Sequence, residues 1–337
     1  PTSTCCPASC AASPDPMSGT APVAVLCGGV GAARFLRGLL DAIGPDAAGS
    51  VVAIVNVADD LVLHGLHISP DLDTVVYTLA DRIDPGRGWG LADESWHAMA
   101  MLETLGGEAW FRLGDRDLGT HLHRTQRLSE GAALSEVTAD IARSLGLTLQ
   151  VLPVTDDRVR TMISTAAGEL LSVQEYFVGR QLAVETQTVA FDGAAVATPA
   201  PGVLDALAEA TTIVIAPSNP VVSIGPLLAI PEVRAVLESR RDRCVAVSPL
   251  VGGAALKGPA ERLMREQGHE ANAVGVAGLY APVVSALVID HADADDAPRI
   301  AALGVEPIDT DTIMADPDRA RALALTTLDA WPRAVSS

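Results

Sequence analysis

An apolar run at Val23–Cys27 stops at Gly28-Gly29 and gives way to a segment of helical periodicity at residues 32–43. A β-branched run at residues 51–57 follows. Strand, tight glycine turn, helix and strand in that order make a β-α-β unit, whose two strands lie parallel because the helix returns the chain to the starting edge. Parallel strands need both faces covered, so the rest of the chain must supply helices in alternation. Helices are expected at residues 73–81, at 94–105 (amphipathic, ended by Gly106-Gly107) and at 135–145, opened by a capping-box-like Ser135. Residues 149–154, 160–165, 169–173 and 185–191 read as short strands separated by turn residues. Alternation then resumes, with helices at 203–210, 231–239, 260–267 and 316–330 and strands at 212–216, 244–248, 283–290 and 304–308. The expected architecture is α/β: a Rossmann-like, doubly wound, mostly parallel sheet built from residues 22–148 and 195–337. Residues 149–194 form a smaller β-rich insertion or sheet extension, and residues 1–21 a disordered leader.

Ligands of such sheets sit at the carboxyl ends of the strands. There the chain places Asp59-Asp60, and Asp71 and Asp73 follow just before a helical stretch. Asp59 stands where a dinucleotide ribose clamp can stand, but a clamp needs one carboxylate and this stretch crowds four. Several hard oxygen ligands suit Mg²⁺ held together with substrate phosphates, and Asp59 and Asp73 are the candidate metal ligands and catalytic residues. The plain alternatives are a helix cap for Asp71 and a solvated turn for Asp60. Gly28, Gly29 and Gly31 lie between the first strand and the first helix, where backbone N–H groups can meet phosphate. No Gly-Lys-Ser/Thr follows, so this is not a Walker A loop, and Ala-Ala-Arg-Phe after Gly31 departs from G-x-G-x-x-G. A tight turn without ligand would use the same glycines.

Three further loops carry chemistry. Phe111 to Asp117 mixes charges around Gly114, with Arg112, Asp115 and Arg116 suited to a phosphate or a polar ring and His121 just beyond. A surface ion-pair loop is the alternative. Ser218-Asn219-Pro220 with Ser223 follows an apolar strand and aims hydroxyl, amide and N–H groups at the ligand edge. Ser248 opens a similar strand-end loop leading to Lys257, a phosphate contact. No Ser-His-Asp set, Cys-His set or zinc pattern stands out.

The formal net charge of −19 argues against nucleic acid, whose backbone needs a basic footprint, while a nucleotide held by a glycine loop and a metal remains open. No apolar run reaches the length of a membrane span. Cys5, Cys6 and Cys10 fall in the leader, which lacks the basic start and apolar core of a secretory signal. Met17 reads as a natural beginning, with residues 1–16 an upstream extension. Cys27 and Cys244 sit in strand-like runs as buried thiols, and the pattern fits a reducing cytoplasm.

GGVGAARFLRGL, VNVADD, ISPDLDTVVY, RGWG, LGDRDLGTH, APSNPVVSIGP and VSPLVGG-x₃-KGPA, in that order, resemble the 2-phospholactate transferases of deazaflavin coenzyme F-420 biosynthesis, called phosphoenolpyruvate transferases in some bacteria. The resemblance implies transfer from a guanosine diphosphate-linked three-carbon acid to the ribityl hydroxyl of FO (7,8-didemethyl-8-hydroxy-5-deazariboflavin), with release of GMP, a Mg²⁺ requirement and a homodimer. It places Asp73 and Arg112 against FO, and the loop reading adds Gly114, Asp115, Arg116 and His121 as FO contacts. It places Gly28, Gly29, Gly31, Ser218 and Asn219 around the nucleotide phosphates, and the loop reading adds Ser223, Ser248 and Lys257 to them. The nearest rival is a related group of regulatory proteins, linked to gluconeogenesis and cell-wall control, that bind a nucleotide or nucleotide sugar without transfer. A nicotinamide oxidoreductase is more distant, because the glycine fingerprint is imperfect.

Overall fold

The computed structural model describes residues 22–255 and 258–330. The leader, with Met17 and three of the cysteines, and Lys257 lie outside the described residues. The first strand, β1 (Val23–Cys27), is buried along its whole length and runs into α1 (Gly29–Ile43), which returns to β2 (Val51–Val55). A hairpin not anticipated from sequence follows, β3 (Leu61–Leu63) and β4 (Leu66–Ile68). Its two-residue turn, His64-Gly65, has positive φ at both positions (54° and 77°), as a primed turn requires. Then come α2 (Pro70–Leu79), α3 (His97–Thr104), α4 (Asp117–Ser129), α5 (Leu134–Ser144) and β5 (Gln150–Pro153).

β6 (Arg160–Thr165), β7 (Leu170–Ser172) and β8 (Thr186–Asp192) pair antiparallel as a separate three-stranded sheet. The chain then re-enters the main sheet through α6 (Val203–Glu209), β9 (Thr212–Ile215), α7 (Gly225–Leu228), α8 (Pro231–Ser239) and β10 (Cys244–Val247). A two-residue ribbon of β11 (Leu250–Val251) and β12 (Ala254–Ala255), α9 (Ala260–Glu266), α10 (Ala273–Tyr280) and β13 (Ala286–Asp290) follow. The described chain closes with α11 (Ala297–Ala301), β14 (Glu306–Thr310) and α12 (Pro317–Asp329).

Seven strands form the central sheet in the order β14-β13-β10-β9-β1-β2-β5, every neighbouring pair parallel. From β1 the chain winds outward through β2 and β5, then resumes on the opposite side with β9. The strand order therefore reverses between β1 and β9, where such sheets open a crevice beyond their carboxyl ends. The fold is the expected doubly wound α/β arrangement. Among the described residues no single helix is long and apolar enough to cross a membrane.

Several helix limits differ from the periodicity reading. α2 begins at Pro70, where proline's missing N–H costs nothing. α3 begins at His97 because Asp115, distant in sequence, caps it. Ser135 lies inside α5, its N–H and hydroxyl donating to Asp156, while Glu136 reaches back to the Ala133 N–H.

Cys27 and Cys244 are buried in β1 and β10. Burial pushes the Cys244 thiol up to about 12 and raises Cys27 too, with Asp71's charge adding to it. Nucleophilic thiolate is therefore scarce at both. Mass-mapped alkylation should leave both cysteines unlabelled in the native protein and label them in denaturant; rapid native labelling of Cys27 would contradict this packing.

Candidate active site

The first turn of α2 supplies carboxylates to two different networks. Asp71 faces the crevice between β1 and β9. It accepts a hydrogen bond from Asn56 Nδ2 at 2.9 Å, and Asn56 Oδ1 accepts from the Ala58 N–H at 3.0 Å, fixing the turn that leads to Asp59. Gly28 lies beneath this group and donates its N–H to Ser218 Oγ at 3.3 Å. A Cβ at Gly28 would stand 2.7 Å from Asp71 Oδ2 and 3.0 Å from the Ser223 Cβ, so glycine is required by closeness. Burial pushes the Asp71 carboxyl up to about 6, against the pull of Asn56 and the Gly29 N–H. The N-terminus of α1, expected to meet phosphate, thus already faces a carboxylate.

Asp59 is 8% exposed, and its Oδ1 is buried without a hydrogen-bond partner. Burial, then the charge of Asp71, hold its carboxyl well above the usual range, with Asn56 and Thr161 pulling the other way. Two buried carboxylates, both raised by burial and one further raised by the other and left with an idle oxygen, form a donor set that a hard cation would relieve. Mg²⁺ fits this pair by charge and ligand type. Asp60 next door donates nothing and accepts from Ser69 Oγ at 2.8 Å. Burial pushes it up to about 7, opposed first by Arg160. It lines a hollow of about 650 Å³ with His67, Thr125, Arg158 and Arg160.

The second network is built on Asp73. Both its oxygens face the guanidinium of Arg124, with Nη1 3.1 Å from Oδ2 and Nη2 on Oδ1. Arg124 is only 2% exposed. Its Nη1 also lies 3.3 Å from His121 Nδ1. A guanidinium only donates, so Nδ1 accepts and the ring proton sits on Nε2. Nε2 is 3.4 Å from Asp117 Oδ2, and the Tyr77 hydroxyl donates to Asp117 Oδ1 at 2.7 Å. Burial works against the charge of Asp117, but His121 and Tyr77 together hold its carboxyl below the usual range. One ligand atom each from Asp73, Asp117 and His121 lie within 4.8 Å of one another, close enough to hold a metal. Arg124 already supplies the positive charge there, whereas among the described residues no Lys or Arg is hydrogen-bonded to Asp59 or Asp71. Asp59 and Asp73, paired as metal ligands from sequence, bond within separate networks.

Asp73, Tyr77, Asp117 and His121 form the polar end of a cavity of about 340 Å³. Its remaining wall is largely aromatic and apolar: Trp89, Trp110, Phe111, Ile68, Leu113 and Val178, the last from the segment after β7. Arg112 lines it too, its guanidinium 4.8 Å from the ring centre of Trp96 behind it. A flat, partly polar ring system matches such walls.

The other expected site residues divide clearly. Gly114, Asp115 and Arg116 do not line this cavity. Asp115 accepts from Ser95 Oγ at 2.6 Å and from the His97 and Ala98 N–H groups at 3.0 Å, which caps α3 and holds its carboxyl low. Glu94 caps α4 through the Arg116 and Asp117 N–H groups, each at 2.8 Å, and a Cβ at Gly114 would collide with it. Arg116 donates to the Ala92 carbonyl. Asn219 Oδ1 accepts from Val221 and Val222 within its own turn, and the Ser248 hydroxyl is occupied by Leu250. Gly31 packs against the Pro217 carbonyl, which ties the two loops of the crevice together.

The family model for the 2-phospho-L-lactate transferase CofD matches residues 23–328. The chain belongs to the CofD family. A phosphoenolpyruvate transferase of Streptomyces coelicolor is 42% identical over 307 residues, covering 90% of this chain and 95% of the relative. One from Kitasatospora aureofaciens is 40% identical over 311 residues, covering 91% and 96%. Two crystal structures of one Bacillus halodurans protein, described in one of them as a UPF0052 family member, superpose with TM-scores of 0.60 and 0.61. They are 16% and 17% identical, cover 92% and 93% of this chain and all of that one, and share the fold.

Residues that sequence reasoning missed include Asn56, Tyr77, Arg124, Trp89, Trp96 and Trp110. One signal was available: the chain has only four tryptophans, and these three gather around one cavity.

Proposed function

We propose that this CofD-family chain acts in coenzyme F-420 biosynthesis, moving a phospho-three-carbon-acid group from a guanosine diphosphate-linked donor to FO. The aromatic cavity that ends in Asp73, Tyr77, Asp117 and His121 carries this reading, because it suits a planar heterocycle bearing hydroxyl groups. The ring system lies between Trp89, Trp110 and Phe111, with Arg112 fixed by Trp96 against its polar edge. The ribityl chain runs along Asp73 toward the crevice between β1 and β9, where the donor's diphosphate would lie.

The terminal ribityl oxygen attacks the phosphorus bearing the acid, the bond from that phosphorus to the bridging oxygen breaks, and GMP departs with that oxygen. The hydroxyl proton passes to the Asp73 carboxylate, which lines the acceptor cavity. The reaction needs in-line placement and charge stabilisation, with no covalent nucleophile from the protein. Asp59 and Asp71 would hold Mg²⁺, which supplies offsetting charge for the diphosphate and the leaving GMP. Incubating the protein with FO, Mg²⁺ and lactyl- or enolpyruvyl-diphosphoguanosine should yield equal amounts of GMP and an FO phosphodiester. GMP without the FO adduct, or neither product with both donors, would overturn this assignment.

A further inference from the structure

We infer that Arg124 is a positioning residue for the acceptor, acting through Asp73 and His121 without touching the substrate itself. This deepens the acceptor reading of the aromatic cavity and rests on it. The cavity wall includes Asp73, Asp117, His121 and Tyr77 and does not include Arg124, which stands behind them, 2% exposed. From there it fixes two wall residues at once. Its two terminal nitrogens take both oxygens of Asp73, and one of them also donates to His121 Nδ1.

Each contact has a chemical consequence in the cavity. A carboxylate gripped on both oxygens by a guanidinium cannot rotate, and its remaining lone pairs keep one direction for the acceptor's hydroxyls. A histidine whose Nδ1 accepts must carry its proton on Nε2, on the side of Asp117. His121 thus turns its Nε2–H toward Asp117, 3.4 Å away, and Asp117 accepts from the Tyr77 hydroxyl. Arg124 is the common support of the polar end of the cavity. Lysine at this place would keep the charge and lose the fork, holding one of the two partners at a time.

The test is a double-mutant cycle on FO affinity, read by calorimetry on the full chain. Arg124→Met strands a buried carboxylate and can impair folding, so Asp73→Asn and the double variant Asp73→Asn/Arg124→Met are measured with it, together with Arg124→Lys. Wild type should bind FO. Asp73→Asn should weaken binding by about tenfold or more, the double variant should fall within about threefold of Asp73→Asn, and Arg124→Lys should lie between wild type and Asp73→Asn. Donor affinity in Mg²⁺ should change less than about twofold throughout, which separates positioning from general disruption. Wild type that fails to bind FO would overturn the acceptor reading of the cavity. Wild type that binds FO, with Arg124→Lys binding equally well, or with losses in the double variant that simply add, would overturn the role of Arg124 alone.

Discussion

Asp59→Asn should remove most transfer activity and at the same time make the ligand-free protein more stable. Both effects come from one arrangement. Asp59 and Asp71 are buried together, Asp59 Oδ1 has no partner, and each carboxyl is held above its usual range. A buried acid whose folded-state value is raised prefers to be protonated, so the fold bears no cost below the unfolded value near pH 4. The cost grows as pH rises through about 6, the value at Asp71. An amide at Asp59 ends the repulsion and should add about 1–2 kcal/mol at pH 8, with the gain shrinking toward pH 5. The same change removes a charge from the pair that suits Mg²⁺, so the turnover number should fall by about 100-fold or more. For the native protein, thermal stabilisation by Mg²⁺ should be larger at pH 8 than at pH 5.5. A destabilised Asp59→Asn protein, or one that turns over normally, would remove the basis for a strained metal-binding pair.

Gly31→Ala should damage stability and donor binding together. The reason is space, since Gly31 is absent from the residues of positive φ. A Cβ there would lie 2.4 Å from the Pro217 carbonyl oxygen, a backbone atom that cannot rotate aside. Relief requires α1 to move away from the loop after β9, the two elements that border the crevice. Overpacking of this kind costs about 1–3 kcal/mol. Because Gly28 and Ser218 belong to the same two elements, donor affinity should fall by about tenfold or more. Thermal melts and titration with GDP in Mg²⁺ measure the two losses; a variant indistinguishable from wild type in both would show that the loops do not depend on this contact.

What could be read from sequence follows a physical divide. The β1–Gly–α1–β2 unit was legible because strand, turn and helix are each local and their periods differ. The carboxylates at the end of β2 and the start of α2 stand out in the sequence because four acids gather at the carboxyl end of one strand. Their partners were not. Arg124 meets Asp73 across 51 positions, and nothing between them signals the pairing. Asp115 reads as a ligand or a surface charge and Glu94 as the start of a helix, yet each caps the other's following helix, a reciprocal contact visible only once the loops are folded. The hairpin of β3 and β4 escaped notice because its turn carries His64 in place of the usual Asn or Asp before Gly65. The cavity's aromatic wall draws on segments from Ile68 to Val178, so no single motif contains it.

The most direct test of the acceptor cavity is calorimetric binding of FO to the wild-type chain and to Asp73→Ala and Arg112→Ala, with and without Mg²⁺. Stoichiometric binding by wild type, little altered by Mg²⁺ and weakened at least about tenfold in both variants, is the expected result. Absence of FO binding by wild type, or undiminished binding by both variants, would contradict the assignment of this cavity to the acceptor.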